Sequence, residues 1–283
     1  MAHLTTNDPK GLNPDSTFLA SEFIPDALFL RVGTNAGLIE GDAPVVRVPY
    51  IKEDSTVGFV AEGAEIPGGT EAFDEITVST RKLAIVSTMS REAFQGQASL
   101  GNGGALLSTS MKRSVISAAD KAFLDNAADP VGLMNTAGMY DAGEIGANLD
   151  GISDAITEIE ANGGQATDII VNPRVWGYLS KLKTTDTSAQ LLLGAPGEAV
   201  GRKLFGLDVH TSAQMPATGG LILDKSNVLT VAGPLMLAKT DLALFTSDSI
   251  VFRAMLRLGW GVIRPNRMAK FSIPAAAPEE PAA

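Results

Sequence analysis

The sequence predicts an α+β protein with a full hydrophobic core, and three observations carry that expectation. Apolar residues make up 45% of the 283-residue chain and charged residues 19%, a globular balance far from the composition of disorder. Residues 45–51, 76–87 and 250–258 alternate apolar and polar side chains and are rich in β-branched types, as half-buried strands require. Residues 105–126 and 149–161 instead place apolar side chains three and four apart, the period of a helix with one buried face.

Asn7, Pro9, Gly11, Asn13 and Pro14 are turn formers without periodicity, so residues 1–15 read as an extended arm. Phe23, Ile24, Ala27, Leu28 and Leu30 fit a helix within 18–32 that begins near Pro25 and anchors the arm, making 1–34 one segment. The strands at 45–51 and 76–87 follow, with Val46, Val48 and Tyr50, then Ile76, Val78 and Thr80, on one face each. Their connection far exceeds the ~2–5 residues of an ordinary hairpin loop. From 52 to 75 it holds seven acids (Glu53, Asp54, Glu62, Glu65, Glu71, Asp74, Glu75) against one base, Lys52. Such a stretch is either a solvated loop or, because an isolated ribbon is marginal in water, a protruding hairpin that a neighbouring molecule covers.

Gly101, Gly103 and Gly104 form a hinge before the helix at 105–126. Its stripe is Leu107, Met111, Val115, Ala118, Ala119, Ala122 and Phe123, with Lys112, Arg113, Asp120, Lys121 and Asp125 on the other side. At ~1.5 Å per residue this rod spans about 33 Å. A second helix carries Leu149, Ile152, Ile156 and Ile159 and stops at Asn162-Gly163-Gly164. A buried strand at 167–171 runs into Asn172-Pro173, an N-cap with proline at the first helical position, opening a helix with Trp176, Leu179 and Leu182. Shorter strands are expected at 204–211, 221–223, 228–231, 250–258 and 268–273. In the fourth, Phe252, Ala254, Leu256 and Leu258 face one way and Arg253 and Arg257 the other. A Pro/Ala/Glu-rich tail at 274–283 reads as disordered.

Catalytic chemistry has little material. There is no cysteine, which removes disulfides, thiolate zinc sites and cysteine nucleophiles. His3 lies in the arm and His210 in a predicted strand, so neither a histidine metal cluster nor a Ser/His/Asp relay is expected, and no cofactor motif occurs. The glycines at 101–104 lack the Gly-Lys-Ser/Thr of a phosphate loop and serve chain geometry. Trp176 is expected in the core, with Trp260 less determined. Arg253 and Arg257 are either solvated charges or partners for acids on another subunit. The start shows no signal pattern, and no apolar run approaches the ~18 residues of a membrane span. The net charge of −10 disfavours sequence-specific DNA binding.

The ordered set of segments is more specific than any one of them. An arm, the acidic stretch Phe59-Val-Ala-Glu-Gly-Ala-Glu-Ile-Pro67, the strand Arg81-Lys-Leu-Ala-Ile-Val-Ser-Thr-Met-Ser-Arg-Glu92 and a long helix come first. Asp168-Ile-Ile-Val-Asn-Pro-Arg-Val-Trp176, Leu204-Phe-Gly-Leu-Asp-Val209, Phe252, Arg253 and Arg257 follow. Together they resemble the major capsid proteins of tailed double-stranded DNA bacteriophages with the Hong Kong 97-like fold. The resemblance implies an extended loop with flanking strands (35–90), a peripheral domain with the spine helix (91–147), an axial α/β domain (148–239) and return strands of the peripheral domain (240–273). It implies a structural protein, not an enzyme, whose main partner is itself, in pentamers and hexamers of an icosahedral shell. Separate scaffolding, portal and decoration proteins would join it, with assembly in the bacterial host cytoplasm and no membrane. The acidic charge suits a lining that encloses double-stranded DNA without gripping it. Candidate intersubunit contacts are Glu53, Asp54, Glu62, Glu65, Glu71, Arg81, Lys82, Lys112, Arg113, Arg253 and Arg257. Lysine–asparagine cross-linking is not expected, since no asparagine and glutamate match Lys52 or Lys82. An encapsulin-type compartment shares the implied fold, and an unrecognised soluble α+β enzyme is the rival of a different class.

Overall fold

A computed structural model describes residues 16–18, 24–39, 45–53, 59–60, 72–92, 103–146, 148–183 and 202–274. The expected arm at 1–15, the centre of the acidic stretch, Gly101 and the tail from 275 lie outside the described residues. The first half of the chain forms β1 (Ser16–Phe18), α1 (Leu28–Val32), β2 (Thr34–Leu38), β3 (Val45–Glu53), β4 (Ala72–Ser90), α2 (Gly103–Asp125) and β5 (Tyr140–Glu144). The second forms α3 (Asp150–Ala161), β6 (Asp168–Val171), α4 (Pro173–Leu179), β7 (Lys203–Leu204), β8 (Leu207–Thr211), β9 (Gly219–Leu223), β10 (Val228–Ala232), β11 (Leu235–Leu244), β12 (Ser249–Val262) and β13 (Met268–Ser272).

Hydrogen bonding sorts these strands into a seven-stranded and a six-stranded sheet. In the first, β12 is the hub. One edge pairs antiparallel with β4 from Ser249↔Ser90 to Gly259↔Thr80; the other pairs with β11 and then with β10. The alternation read from the sequence holds: Ile250, Phe252, Ala254, Leu256 and Leu258 are buried, and Arg253 is exposed. The six-stranded sheet runs β5-β13-β9-β6-β8-β7. Its central strands β6 and β9 are buried along their whole length, which is why they read as unbroken apolar runs.

One core joins Leu28, Phe29 and Val32 of α1, Met111, Val115, Ala119 and Phe123 of α2, the inner face of β12, and Ile170, Leu221, Leu223 and Met268 of the six-stranded sheet. The opposite face of that sheet packs Ile169, Val171, Ile222 and Phe271 against Ile152 and Ile159 of α3 and Val175 and Leu179 of α4. At Gly220 an added Cβ would lie 2.1 Å from the Phe271 ring, so the ring lies directly over bare backbone. Phe123 meets Phe29 edge-on at 6.4 Å and Trp260 at 5.6 Å, pairs worth about 0.5–1.5 kcal/mol each beyond burial. Trp260 is 4% exposed, and its indole N–H donates to the Val131 carbonyl at 2.7 Å.

Several expectations change. The helix expected within 18–32 is one turn, Leu28–Val32, and Phe18 belongs to a strand. The chain must leave the helix at Gly33, which passes so close to Thr230 that a Cβ would lie 2.2 Å from its Cγ2; pairing of β2 with β10 takes over. On α2 the stripe is rotated: Ala118 is exposed and Asp120 is buried, because its carboxylate accepts the Leu28 N–H at 2.8 Å. Trp176 is half-buried beside a fully buried Val175. The expected strand 204–211 is a β7–β8 hairpin turning at Phe205 (φ 51) and Gly206 (φ 82); the paired positive φ values define a two-residue turn that phenylalanine does not advertise. The Asn172 cap and Pro173 start are as read, with the Asn172 side chain accepting from the Arg174 N–H. Strands β2, β5 and β11 were not anticipated, and β10 and β11 hydrogen-bond into the seven-stranded sheet while β13 joins the six-stranded one.

Candidate intersubunit surface

The β3–β4 ribbon pairs from Val45↔Ser79 to Glu53↔Ala72, in register as far as Ile51↔Phe73 and shifted beyond it. Alternation sends Val46, Val48 and Val78 to one face, where they meet Ile39 and Val231. Gly261 leaves room for this seat: a Cβ there would approach Val78 Cγ2 to 3.1 Å. Arg264 adds a clamp, its guanidinium donating to the carbonyls of Ile51 at 2.9 Å and Lys52 at 3.2 Å. The described part of the ribbon is therefore held by its own chain, which corrects the expectation that it lacks intrachain support. The other face is open, with Val45, Ile51 and Phe73 exposed, and beyond it Phe59 is fully exposed. Two acids are matched within the ribbon: Glu75 pairs with Arg47 at 3.0 Å, and Asp74 accepts from the Tyr50 hydroxyl at 3.3 Å.

The outer face of the seven-stranded sheet is the second exposed feature. Arg253, Met255 and Arg257 of β12 stand opposite Val86, Ala84 and Lys82 of β4, and Met236 of β11 stands opposite Met255. Val86 is 61% and Met236 51% exposed. Where β4 pairs with β12, the charged side chains described on this face are Lys82, Arg253 and Arg257, all cationic, on a chain whose net charge is −10. Arg257 is half-buried and donates to the Thr80 hydroxyl and carbonyl at 3.2 and 3.4 Å. Between β11 and β12 the face opens into a cavity of about 470 Å³ lined by Lys82, Pro234, Met236, Met255 and Arg257 among others.

The remaining candidates are dispersed. Arg81 is engaged within its own chain, donating to the Asp129 carbonyl at 2.9 Å with the Asp129 carboxylate at 3.6 Å. Lys112 is half-buried and Arg113 exposed on α2. Glu53 ends β3 with its side chain outside the description, and Asp54, Glu62, Glu65 and Glu71 lie outside the described residues. The methionine-lined cavity and the Arg264 clamp were not read from the sequence. The first depends on β11, whose mixed run hid its period, and the second on a pairing across more than two hundred positions.

A polar pocket of about 210 Å³ lies where α1, α2 and β8 meet, lined by Asp26, Arg31, Asp120, Arg202 and His210 among others. Burial pushes the Asp120 carboxyl up to about 6, against the lowering effect of the Leu28 and Phe29 N–H groups. His210 bonds Asp168 at 2.8 Å. Burial raises the Asp168 carboxyl, but hydrogen bonds from His210 and Thr167 and the charges of His210 and Lys225 outweigh it and hold it below the usual range. This pair ties β6 to its parallel neighbour β8. Among the described residues no group of three or more His, Cys, Asp or Glu side chains could hold a metal ion, and no helix is long and apolar enough to cross a membrane.

Comparisons with known proteins agree with this geometry. A search of curated protein sequences finds no match. The fold is similar to that of a solved chain described as the capsid of an empty GTA particle, with TM-score 0.67, 19% identity and coverage of 95% of this chain and 96% of that one. A chain from Microbacterium phage Oxtober96 gives TM-score 0.67 at 15% identity, covering 96% of each, and one from Mycobacterium phage Ogopogo gives 0.65 at 14%, covering 97% of each. The sequence itself matches the phage capsid family over residues 36–273. The chain belongs to that family, and it is a structural major capsid protein of the virion shell rather than an enzyme.

Proposed function

We propose that copies of this chain assemble through pentamers and hexamers into an icosahedral shell around phage double-stranded DNA, with the acidic stretch 52–75 of one subunit lying over the cationic sheet face of the next. The carrying observation is complementary charge: seven acids against one base on the stretch, and the cations Lys82 and Arg253, both exposed, on the face where β4 pairs with β12. Contacts of this kind steer encounter and fix register. In this reading 1–34 is the arm, 35–90 the extended loop, 91–147 with 240–273 the peripheral domain and 148–239 the axial domain. Sheet membership favours moving β10 and β11 to the peripheral side and β5 and β13 to the axial side. Arg113 and Lys112 would contribute along α2, whereas Arg81 serves its own subunit. Scaffolding, portal and decoration proteins are the further partners, and assembly takes place in the host cytoplasm.

Light scattering and negative-stain microscopy of the purified chain test the reading: megadalton rings and shells are expected, and a compact monomer or small oligomer overturns it. An Arg253→Glu variant should assemble several-fold less readily, with partial recovery when Glu62 and Glu65 are changed to lysine in the same chain.

A further inference from the structure

We propose that the cavity between β11 and β12 is the receptor for Phe59 of a second copy of this chain, with Met236, Met255 and Pro234 gripping the ring and Lys82 pairing with the acids beside it. This rests on the shell reading above and names the anchor within it. Phe59 is a large aromatic side chain with its whole surface in water, flanked in sequence by Asp54, Glu62 and Glu65. The cavity offers the matching pattern, an apolar lining between two cations and a volume of about 470 Å³, within the range of pockets that enclose small organic groups. Thioethers adapt their shape to an incoming ring and make favourable sulfur–aromatic contacts. An aromatic anchor in a central pocket with a charged rim is the usual anatomy of a strong contact.

Chain geometry decides that the guest comes from another copy. Phe59 follows Glu53 by six residues, which span at most about 21 Å. Glu53 lies opposite Ala72, and β4 then runs ten residues from Ala72 to Lys82 at the cavity, about 33 Å of strand. Met255 stands opposite Ala84, farther still. A subunit cannot bring its own Phe59 back to its own cavity.

The chain has no cysteine, so single-cysteine variants give clean cross-links. Phe59→Cys and Met236→Cys proteins, both changed at exposed side chains, are mixed, assembled and oxidised. A disulfide-linked dimer containing one of each variant is expected in shells and not in dispersed subunits, with Phe59→Cys and Leu38→Cys as the negative pair. In unmodified protein, Met236 should be oxidised by dilute peroxide at least fivefold more slowly in shells than in free subunits, and Phe59→Ala should abolish that protection. Phe59→Ala should also raise the subunit concentration for half-assembly roughly tenfold or more. Shells that form normally from Phe59→Ala, with Met236 as slow to oxidise as in unmodified shells and no cross-link, overturn the inference while leaving the shell reading intact. Failure of the unmodified protein to form any shell overturns the reading and the inference together.

Discussion

Replacing Asp120 by asparagine should stabilise the isolated subunit at neutral pH, and the gain should disappear on acidification. The carboxylate is 8% exposed, and its shortest contact, accepting the Leu28 N–H at 2.8 Å beside the Phe29 N–H, can be kept by an amide oxygen. Its folded-state value near 6, against 3.8 ordinarily, means that the native protein holds this proton more tightly than the unfolded chain does. Stability from this group is therefore fully present below about pH 3.8 and falls as pH rises, until the carboxyl is ionised in both states above about 6. At ~1.4 kcal/mol per pH unit, that difference costs the wild-type protein about 3 kcal/mol at pH 7. Asp120→Asn escapes the cost. Urea unfolding of both proteins in parallel at pH 4, 5, 6 and 7 gives the difference directly. It should be about 0.5 kcal/mol at pH 4 and grow to about 3 kcal/mol at pH 7. A difference that stays constant over that range would mean that the burial of Asp120 does not disfavour its charge, and the reasoning would fail.

Two further perturbations test features of the fold. Arg264→Ala removes both donors to the Ile51 and Lys52 carbonyls without touching the core, so amide exchange in 45–53 should accelerate about tenfold while that of β6 and β9 stays unchanged. Trp260→Phe deletes the indole donor to Val131 and trims the aromatic cluster around Phe123; chemical denaturation should show a loss of about 2 kcal/mol.

The sequence exposed those parts of the fold in which one residue type has one physical use. Asn172-Pro173 reads as a helix start because an amide side chain caps and a proline needs no donor there. The alternation around Phe252 and Leu258 reads as a half-buried strand because period two has no other cause. Phe205 failed as a turn signal, since its positive φ comes from the hairpin around it and not from the residue. Asp120 failed as a core residue because charge argues for the surface, and its partner is the backbone of α1, ninety-two positions away. The candidate surface divided the same way. Its cations were legible as the polar side of β12, but their grouping with Lys82 came from strand register, which links β4 to β12 across most of the chain. Arg81, one position earlier, points to the opposite face and meets Asp129.

Strand β4 is one uninterrupted piece of extended chain, bonded to β3 over its first half and to β12 over its second. Mechanically it is a lever without a joint. A neighbour that seized the distal end would pull along the strand, and the load would pass straight into the hub β12 and the aromatic cluster beneath it. In a closed shell every subunit both pulls and is pulled, so tension at one contact would spread around the ring through covalent backbone instead of being lost in loose connections.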